Sequence, residues 1–460
     1  MAVPSRAIAA VFALTGLLSA SLRAQTSDWP DSDAASALAG GIRSALAAVP
    51  AQPAPSAAVP VAPGACNPYK IAPKVVPNLD GPAPAADGAS RLLDRGFPSV
   101  FEAWSPAQNL NPAPFGAPTP LGGDATPRHD VVILADWSLG LQPAADCIGL
   151  VPGYAANSLP KALAARAAIL SANPHAVLLM AVHYYDASEG YLPDDSPWWL
   201  RAGRDRVSNG KANPKKSQAY YFLNYHDPEF RQHVALQCKA AVLSGVYDGC
   251  FFDWWSEDAD RVDLARRART AIGESPLIVV NVNNRRPVGA APYINGMYME
   301  GFNSFFWRAD ADGFSTAFDN LKWAAKSLRS PAITLLEGWY SKSRSDPKDL
   351  QMMRALTTLS LTQSDGAVLF GDPDNTAEHD HLHDWYPFWD RALGRPAGAA
   401  SLQGDGSWRR EYDGGTVVYN PPNNAGITVV FADGARTSRA DRTSGSSHAV
   451  AAGDGDIFLK

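Results

Sequence analysis

The stretch Asp248-Gly249-Cys250-Phe251-Phe252-Asp253-Trp254-Trp255 sets a short apolar run against a carboxylate and two tryptophans. A run this short and this apolar reads as a parallel strand buried on both faces. Strands of that kind end at the mouth of a sheet or barrel, where α/β proteins gather their chemistry. The pattern recurs, since the run over 293–299 ends in Glu300 and the run over 332–336 ends in Glu337.

Extended along the chain, the same reading gives strands at 98–104, 130–135, 176–182, 250–252, 277–280, 293–299, 332–336 and 367–370. Helical patterns fall between many of them, at 161–172, 227–243, 261–272, 316–328 and 350–362, with a last one over 383–393. Asp227 before Pro228 is a helix start, with the acid as cap and proline in the first turn. Eight strands alternating with helices predict an α/β fold, a (β/α)8 TIM barrel, over residues 91–397. No helix is visible between 105 and 128, and 220–224 is a competing strand. Either count leaves 250–252 as the fourth strand. A polar loop occupies 187–216, and loops of that length are commonly functional. From about 398 to 460, short strands separated by Gly, Asn and Asp turns predict a small all-β module, read as a cap on the barrel rather than a second catalytic domain.

The N-terminus has the form of a secretory signal over 1–24: Arg6, an apolar stretch from Ala7 to Ala20, then small residues with Ala24 as a possible cleavage point. The expected location is therefore secreted or periplasmic, with no membrane span once the signal is removed. Residues 25–90 are rich in Ala and Pro and predict an extended linker with little fixed structure. A net charge of −6 gives no basic footprint for nucleic acid. Cys66, Cys147, Cys238 and Cys250 allow two disulfides in three pairings, and no C-x-x-C spacing suggests zinc.

Acids at strand ends beside aromatic rings point to carbohydrate chemistry. Cleaving a glycosidic bond takes two carboxyl groups, one to protonate the leaving oxygen and one to attack the sugar or activate water. Asp253 and Glu300, on the fourth and sixth strands, are the expected catalytic pair. Glu337, Asp136 and Asp372 are further acids for substrate contact, with Asp365 behind them. A strand-end carboxylate can equally cap the next helix or pair with Arg. Trp137, Tyr184, Tyr185, Trp254, Trp255 and Trp339 are the expected sugar-stacking rings, and each can equally be core. Trp198 and Trp199 are placed over the cleft, while Trp385 and Trp389 read as core. His183 ends the third strand and is a candidate substrate contact. Asn281 and Asn283 either bond sugar hydroxyls or serve a turn. His379, His381 and His383 are spaced too loosely for a metal site. No metal or cofactor is expected, and no phosphate loop or G-x-S-x-G elbow occurs. The expected partner is a poly- or oligosaccharide, and the oligomeric state stays open.

Several motifs together resemble a family of bacterial proteins called glycosyl-hydrolase-like family 15. They are Asp248-Gly249-x-Phe251-Phe252-Asp253, Tyr298-Met299-Glu300-Gly301, Leu393-Gly394-x-Pro396, Arg410-x-Tyr412-x-x-Gly415-x-Val417-Val418-x-Asn420-Pro421 and Asp454-Gly455-Asp456-Ile457. That resemblance implies a glycoside hydrolase built as a catalytic barrel followed by a β module. Phe252-Asp253-Trp254 is also distantly similar to the nucleophile strand of α-galactosidase-type barrels. The similarity implies Asp253 as nucleophile and Glu300 as acid/base, with Glu standing where Asp is usual. The alternatives are a non-catalytic carbohydrate-binding barrel and a metal-dependent polysaccharide deacetylase.

Overall fold

The structure, a computed structural model, describes residues 66–71, 74–75, 79, 87–104, 126–213, 218–304, 307–372, 381, 383–390 and 393–460. The signal read over 1–24 and much of the Ala/Pro stretch lie outside the described residues. Eight strands form one parallel sheet: β1 Phe101–Ala103, β2 Val131–Leu134, β3 Val177–Ala181, β4 Gly249–Phe252, β5 Leu277–Asn281, β6 Gly296–Phe302, β7 Ile333–Trp339 and β8 Ala367–Gly371. Each strand neighbours the next in sequence. Val100 bridges Val368 in parallel, and the Val368 N–H donates to Ser99 O at 3.1 Å, so the eighth strand meets the first. This is the (β/α)8 barrel that the alternation predicts.

Helices follow most strands: α1 Gly88–Leu93 ahead of the barrel, α2 Leu159–Ala172, α3 Pro228–Leu243, α4 Ala259–Ile272, α5 Ala311–Ser327 and α6 Pro347–Gln363. An aspartate caps each of four of them. Asp227 accepts from Glu229 N, Asp258 from Arg261 N, Asp310 from Gly313 N and Asp346 from Lys348 N. These bonds satisfy donors that the first helical turn leaves unpaired.

Residues two apart on a strand share a face, and that rule builds the site. Phe101, Ile133, Leu179, Phe251, Val279, Tyr298, Leu335 and Leu369 make one buried cluster. Phe101 and Phe251 reach the Tyr298 ring from strands that are not its neighbours, at 5.3 and 5.9 Å between centroids, so this cluster fills the lumen. Cys250, Phe252, Ile278 and Val280 alternate with these residues and join the core under the helices. Continued past the last apolar layer, lumen parity falls on Asp253, Asn281, Glu300 and Glu337. At the other end, Leu92 and Ala89 of α1 pack into the lumen cluster. Arg91 and Arg166 both bind the buried Asp248 just before β4, each at 2.7 Å. Gly249 then starts β4 where a Cβ would lie 2.0 Å from Leu277 O, so only glycine fits.

Four expectations are corrected. The region before Arg91 is not free of structure: Cys66 is bonded to Cys147, Lys74–Val75 pairs with Tyr154–Ala155, and α1 begins at Gly88. The disulfide and this pairing hold the region against the β2–α2 connection. The polar loop over 187–216 carries short strands: Asp186–Ser188 and Ser208–Asn213 flank Gln218–Phe222 in an antiparallel sheet outside the barrel. That sheet also takes the competing strand read over 220–224. The last helix, read over 383–393, is among the described residues a short 3-10 turn at Pro387–Trp389, and Trp385 and Trp389 pack there as core. Pro387 falls inside the expected helix, where it has no N–H to give and breaks the pattern. Asp365 precedes β8 and pairs with Arg410 at 2.8 Å, so it belongs to the opposite end of the barrel from the carboxylates.

The C-terminal residues form a six-stranded antiparallel sheet, in order Ser401–Leu402, Trp408–Tyr412, Gly415–Asn420, Asp454–Leu459, Arg436–Ser438 and Ser444–Gly445, beside the pair Ile427–Val430 and Ser447–Val450. The module packs on the flank of α6. Arg354 donates to both oxygens of Asp454, at 2.9 and 2.7 Å, and Tyr412 donates to Leu361 O at 2.8 Å.

Candidate active site

Asp253, one residue past β4, and Glu300, on β6, face each other across Asn281 of β5. Asn281 Nδ2 donates to Asp253 Oδ1 at 2.8 Å and to Glu300 Oε2 at 2.5 Å. Laid end to end, those bonds limit the two oxygens to 5.3 Å apart. Asp253 Oδ1 also accepts from the Trp254 N–H at 2.8 Å. Two donors on one oxygen suit the charged form of that carboxyl.

Glu300 is in a different environment. Burial pushes its carboxyl up to about 8, and the charges of Asp253 and Glu337 push the same way. The positive charge of His381 and the Asn281 hydrogen bond oppose them. Two carboxyls whose surroundings pull them apart are the arrangement that separates an acid from a base.

Behind Glu300 lies a buried group. Glu337, fully buried on β7, accepts from Tyr298 O–H at 2.6 Å and lies 2.7 Å from His381 Nδ1. Nε2 of His381 faces Glu300 Oε1 at 3.6 Å. Trp104 packs beside the His381 ring, with centroids 5.1 Å apart. Among the described residues, Glu300, Glu337 and His381 are the grouping whose donor atoms could meet around an ion, all within 4.8 Å of one another. The two nitrogens of the ring address different carboxylates, which suits a chain of charges better than three ligands around one ion.

Aromatic rings line one side. Trp254, at φ 52 and 45% exposed, stacks on Tyr185 with centroids 5.8 Å apart at 21°. Tyr184 and Trp255, expected to meet substrate, lie beneath that wall. Tyr184 is buried and donates to Trp254 O at 3.0 Å, and it accepts from Arg261 Nε at 3.0 Å. Trp255 is buried against Phe252 and Tyr184. Tyr184 thus holds the Trp254 backbone, and Trp255 packs behind Tyr184. Trp137, 54% exposed, and His183 line a small cavity with Tyr154, Tyr191 and Gln237. Burial lowers the proton affinity of His183, while the Asp186 and Asp253 charges raise it.

The other expected residues are spread around these. Trp339 is nearly buried, and its indole N–H has no partner among the described residues. Asp372 lies beside Tyr340 past β8. Asp136 opens a 3-10 turn after β2. Asn283 takes positive φ, and its N–H donates to Asn281 Oδ1 at 3.2 Å, so it serves the turn that holds Asn281. Trp198 and Trp199 do not cover the carboxylates: Trp199 is buried, and Trp198 packs on Phe230 and His233. His379 lies outside the described residues, while His381 and His383 are buried.

Sequence reasoning missed Tyr298, Trp104 and the role of His381. Strand parity was a signal for Tyr298, two residues before Glu300. Nothing in the spacing around His381 marks it, since it meets acids that lie 44 and more residues earlier in the chain.

Residues 261–416 match a family model described as hypothetical glycosyl hydrolase family 15. The match takes in Tyr298–Gly301 and Leu393–Pro396 and leaves Asp248–Asp253 outside. No curated protein matches the chain. Among solved structures, a maltogenic α-amylase from Thermotoga neapolitana is 11% identical over 80% of this chain and 99% of its own, with a TM-score of 0.48. A cyclic maltosyl-maltose hydrolase from Arthrobacter globiformis is 14% identical over 80% and 99%, at 0.46. An α-amylase from Malbranchea cinnamomea is 13% identical over 81% and 97%, at 0.47.

Proposed function

We propose that the chain, a glycoside hydrolase by its family match, cleaves glycosidic bonds of a poly- or oligosaccharide with Asp253 and Glu300 as its two carboxyl groups. The observation that carries this reading is the shared Asn281 donor, which limits the facing oxygens to 5.3 Å. Retaining enzymes hold their carboxyls about 5–5.5 Å apart, whereas inverting ones leave about 6.5–9.5 Å for a water. The spacing favours retention.

In that reaction Glu300, protonated below about 8, gives its proton to the leaving glycosidic oxygen. Asp253, held as a carboxylate by two N–H donors, attacks the anomeric carbon, and a glycosyl ester forms as the glycosidic bond breaks. Glu300, now ionised, takes a proton from water, which displaces Asp253 and frees the sugar. Asn281 steadies both carboxylates in turn. The exposed Trp254 face offers a platform for a sugar ring.

Two disulfides, Cys66–Cys147 and Cys238–Cys250, support a secreted or periplasmic location, where such bonds persist. No helix among the described residues is long and apolar enough to cross a membrane.

The test of the mechanism is the anomeric form of the first product. Plant and bacterial polysaccharides are screened for new reducing ends, and proton NMR follows the released sugar before it mutarotates. Retention supports the double displacement. Inversion contradicts it.

A further inference from the structure

His381 has a carboxylate at each edge of its ring, Glu337 at 2.7 Å from Nδ1 and Glu300 at 3.6 Å from Nε2. Both oxygens of Glu337 are engaged, one by the Tyr298 hydroxyl and one by the ring. A buried carboxylate in that position keeps a proton on Nδ1 and fixes the plane of the imidazole. That leaves Nε2 as the edge offered to Glu300.

The backbone is held as well. His381 has φ 56, a left-handed conformation that L-residues seldom take. Its carbonyl oxygen lies 3.2 Å from His383 Nδ1, and His383 Nε2 meets His129 Nε2 at 2.8 Å. His129 Nδ1 in turn lies 3.3 Å from the buried Glu102. This string ties the chain beyond β8 to the start of the barrel, and the ring is fixed at the site by contacts on several sides.

We propose that His381 is a positioning residue of the reaction: Glu337 and Tyr298 clamp its ring so that Nε2 holds the Glu300 carboxyl in place and answers the charge that Glu300 acquires when its proton leaves. The inference rests on the reading of Glu300 as the acid. The groups that face Glu300 are Asp253 beyond β4, Asn281 on β5, Glu337 on β7 and His381. Glu337, Tyr298 and Glu300 face His381, with His383 beside it on the chain. Without the ring, the Asp253 and Glu337 carboxylates still press on Glu300 and one of the two groups that oppose them here is gone. Glu300 then keeps its proton to higher pH, which weakens it as an acid.

The test needs no substrate. Infrared difference titration of the wild-type protein against Glu300→Gln isolates the protonated carboxyl band of Glu300 and gives its midpoint. His381→Gln is expected to raise that midpoint by about one pH unit, the size of effect one neighbouring charge produces. His381→Asn keeps a donor toward Glu337, which protects the fold, and is expected to raise it likewise. Circular dichroism confirms that each variant is folded. A midpoint unchanged in the folded variants overturns the inference and leaves the acid reading standing. If Glu300→Gln removes no band that titrates near neutral pH, the acid reading fails and the inference falls with it.

Discussion

Asp253 and Glu300 take hydrogen bonds from one nitrogen, Nδ2 of Asn281, at 2.8 and 2.5 Å. The amide sets their separation and lowers the proton affinity of Glu300, against the burial that raises it. Asn281→Leu keeps the volume and removes the donor. We expect kcat to fall by about 100-fold, as when one preorganised donor is removed from a reacting centre. The alkaline limb of the rate profile should move upward, and a pH profile of kcat and KM checks both effects.

The raised proton affinity of Glu300 also affects stability. In the unfolded chain a glutamate titrates at about 4.3, and in the folded protein Glu300 titrates at about 8. The folded state thus binds the proton more tightly. Its contribution is fully present below the unfolded value and is lost as pH rises toward the folded one. Glu300→Gln carries no such charge. Its melting temperature should exceed that of the wild type at pH 9, with the gap closing as pH falls toward 4. Thermal unfolding across that range checks it, and a gap that widens toward acid would contradict it.

Trp254 presents an exposed ring braced from below by Tyr185 and Tyr184. Trp254→Ala removes stacking surface and leaves both carboxylates in place. A sugar face on such a ring is worth roughly 1 kcal/mol, so KM should rise about fivefold with a smaller change in kcat. Steady-state kinetics on the substrate found by screening separate the two effects.

Cys238 on α3 is bonded to Cys250 on β4, 12 residues apart in sequence. Closing a loop of that length stabilises the folded state by about 3 kcal/mol in the chain-entropy account. The double replacement of Cys238 and Cys250 by Ala should lower the unfolding free energy by that order. Cys250 belongs to the core under the helices, so turnover by the folded fraction should persist. Denaturant titration together with an activity assay reads both.

Much of the barrel could be read in the sequence because its strands are buried on both faces. Phe251-Phe252 and Leu335-Leu336 have no choice but to be interior, and the acids that follow them fall at one end by geometry alone. The sheet over Asp186–Phe222 was harder, since Asp186–Ser188 and Ser208–Asn213 are built of small and polar residues, and such strands look like loop. Glu337 was read as a substrate contact, yet it is buried beneath the site, because strand parity says which way a side chain points and not how deeply neighbours cover it. His381 was read only as one of three histidines spaced too loosely for a metal site. Its place depends on how the chain returns after β8, which no local pattern encodes.

The most direct test of the central claim is product release from the polysaccharide panel by wild type, Asp253→Asn and Glu300→Gln, side by side. Turnover by wild type, with loss of about 100-fold or more in each folded variant, is the predicted result. Turnover undiminished in Asp253→Asn would contradict the account.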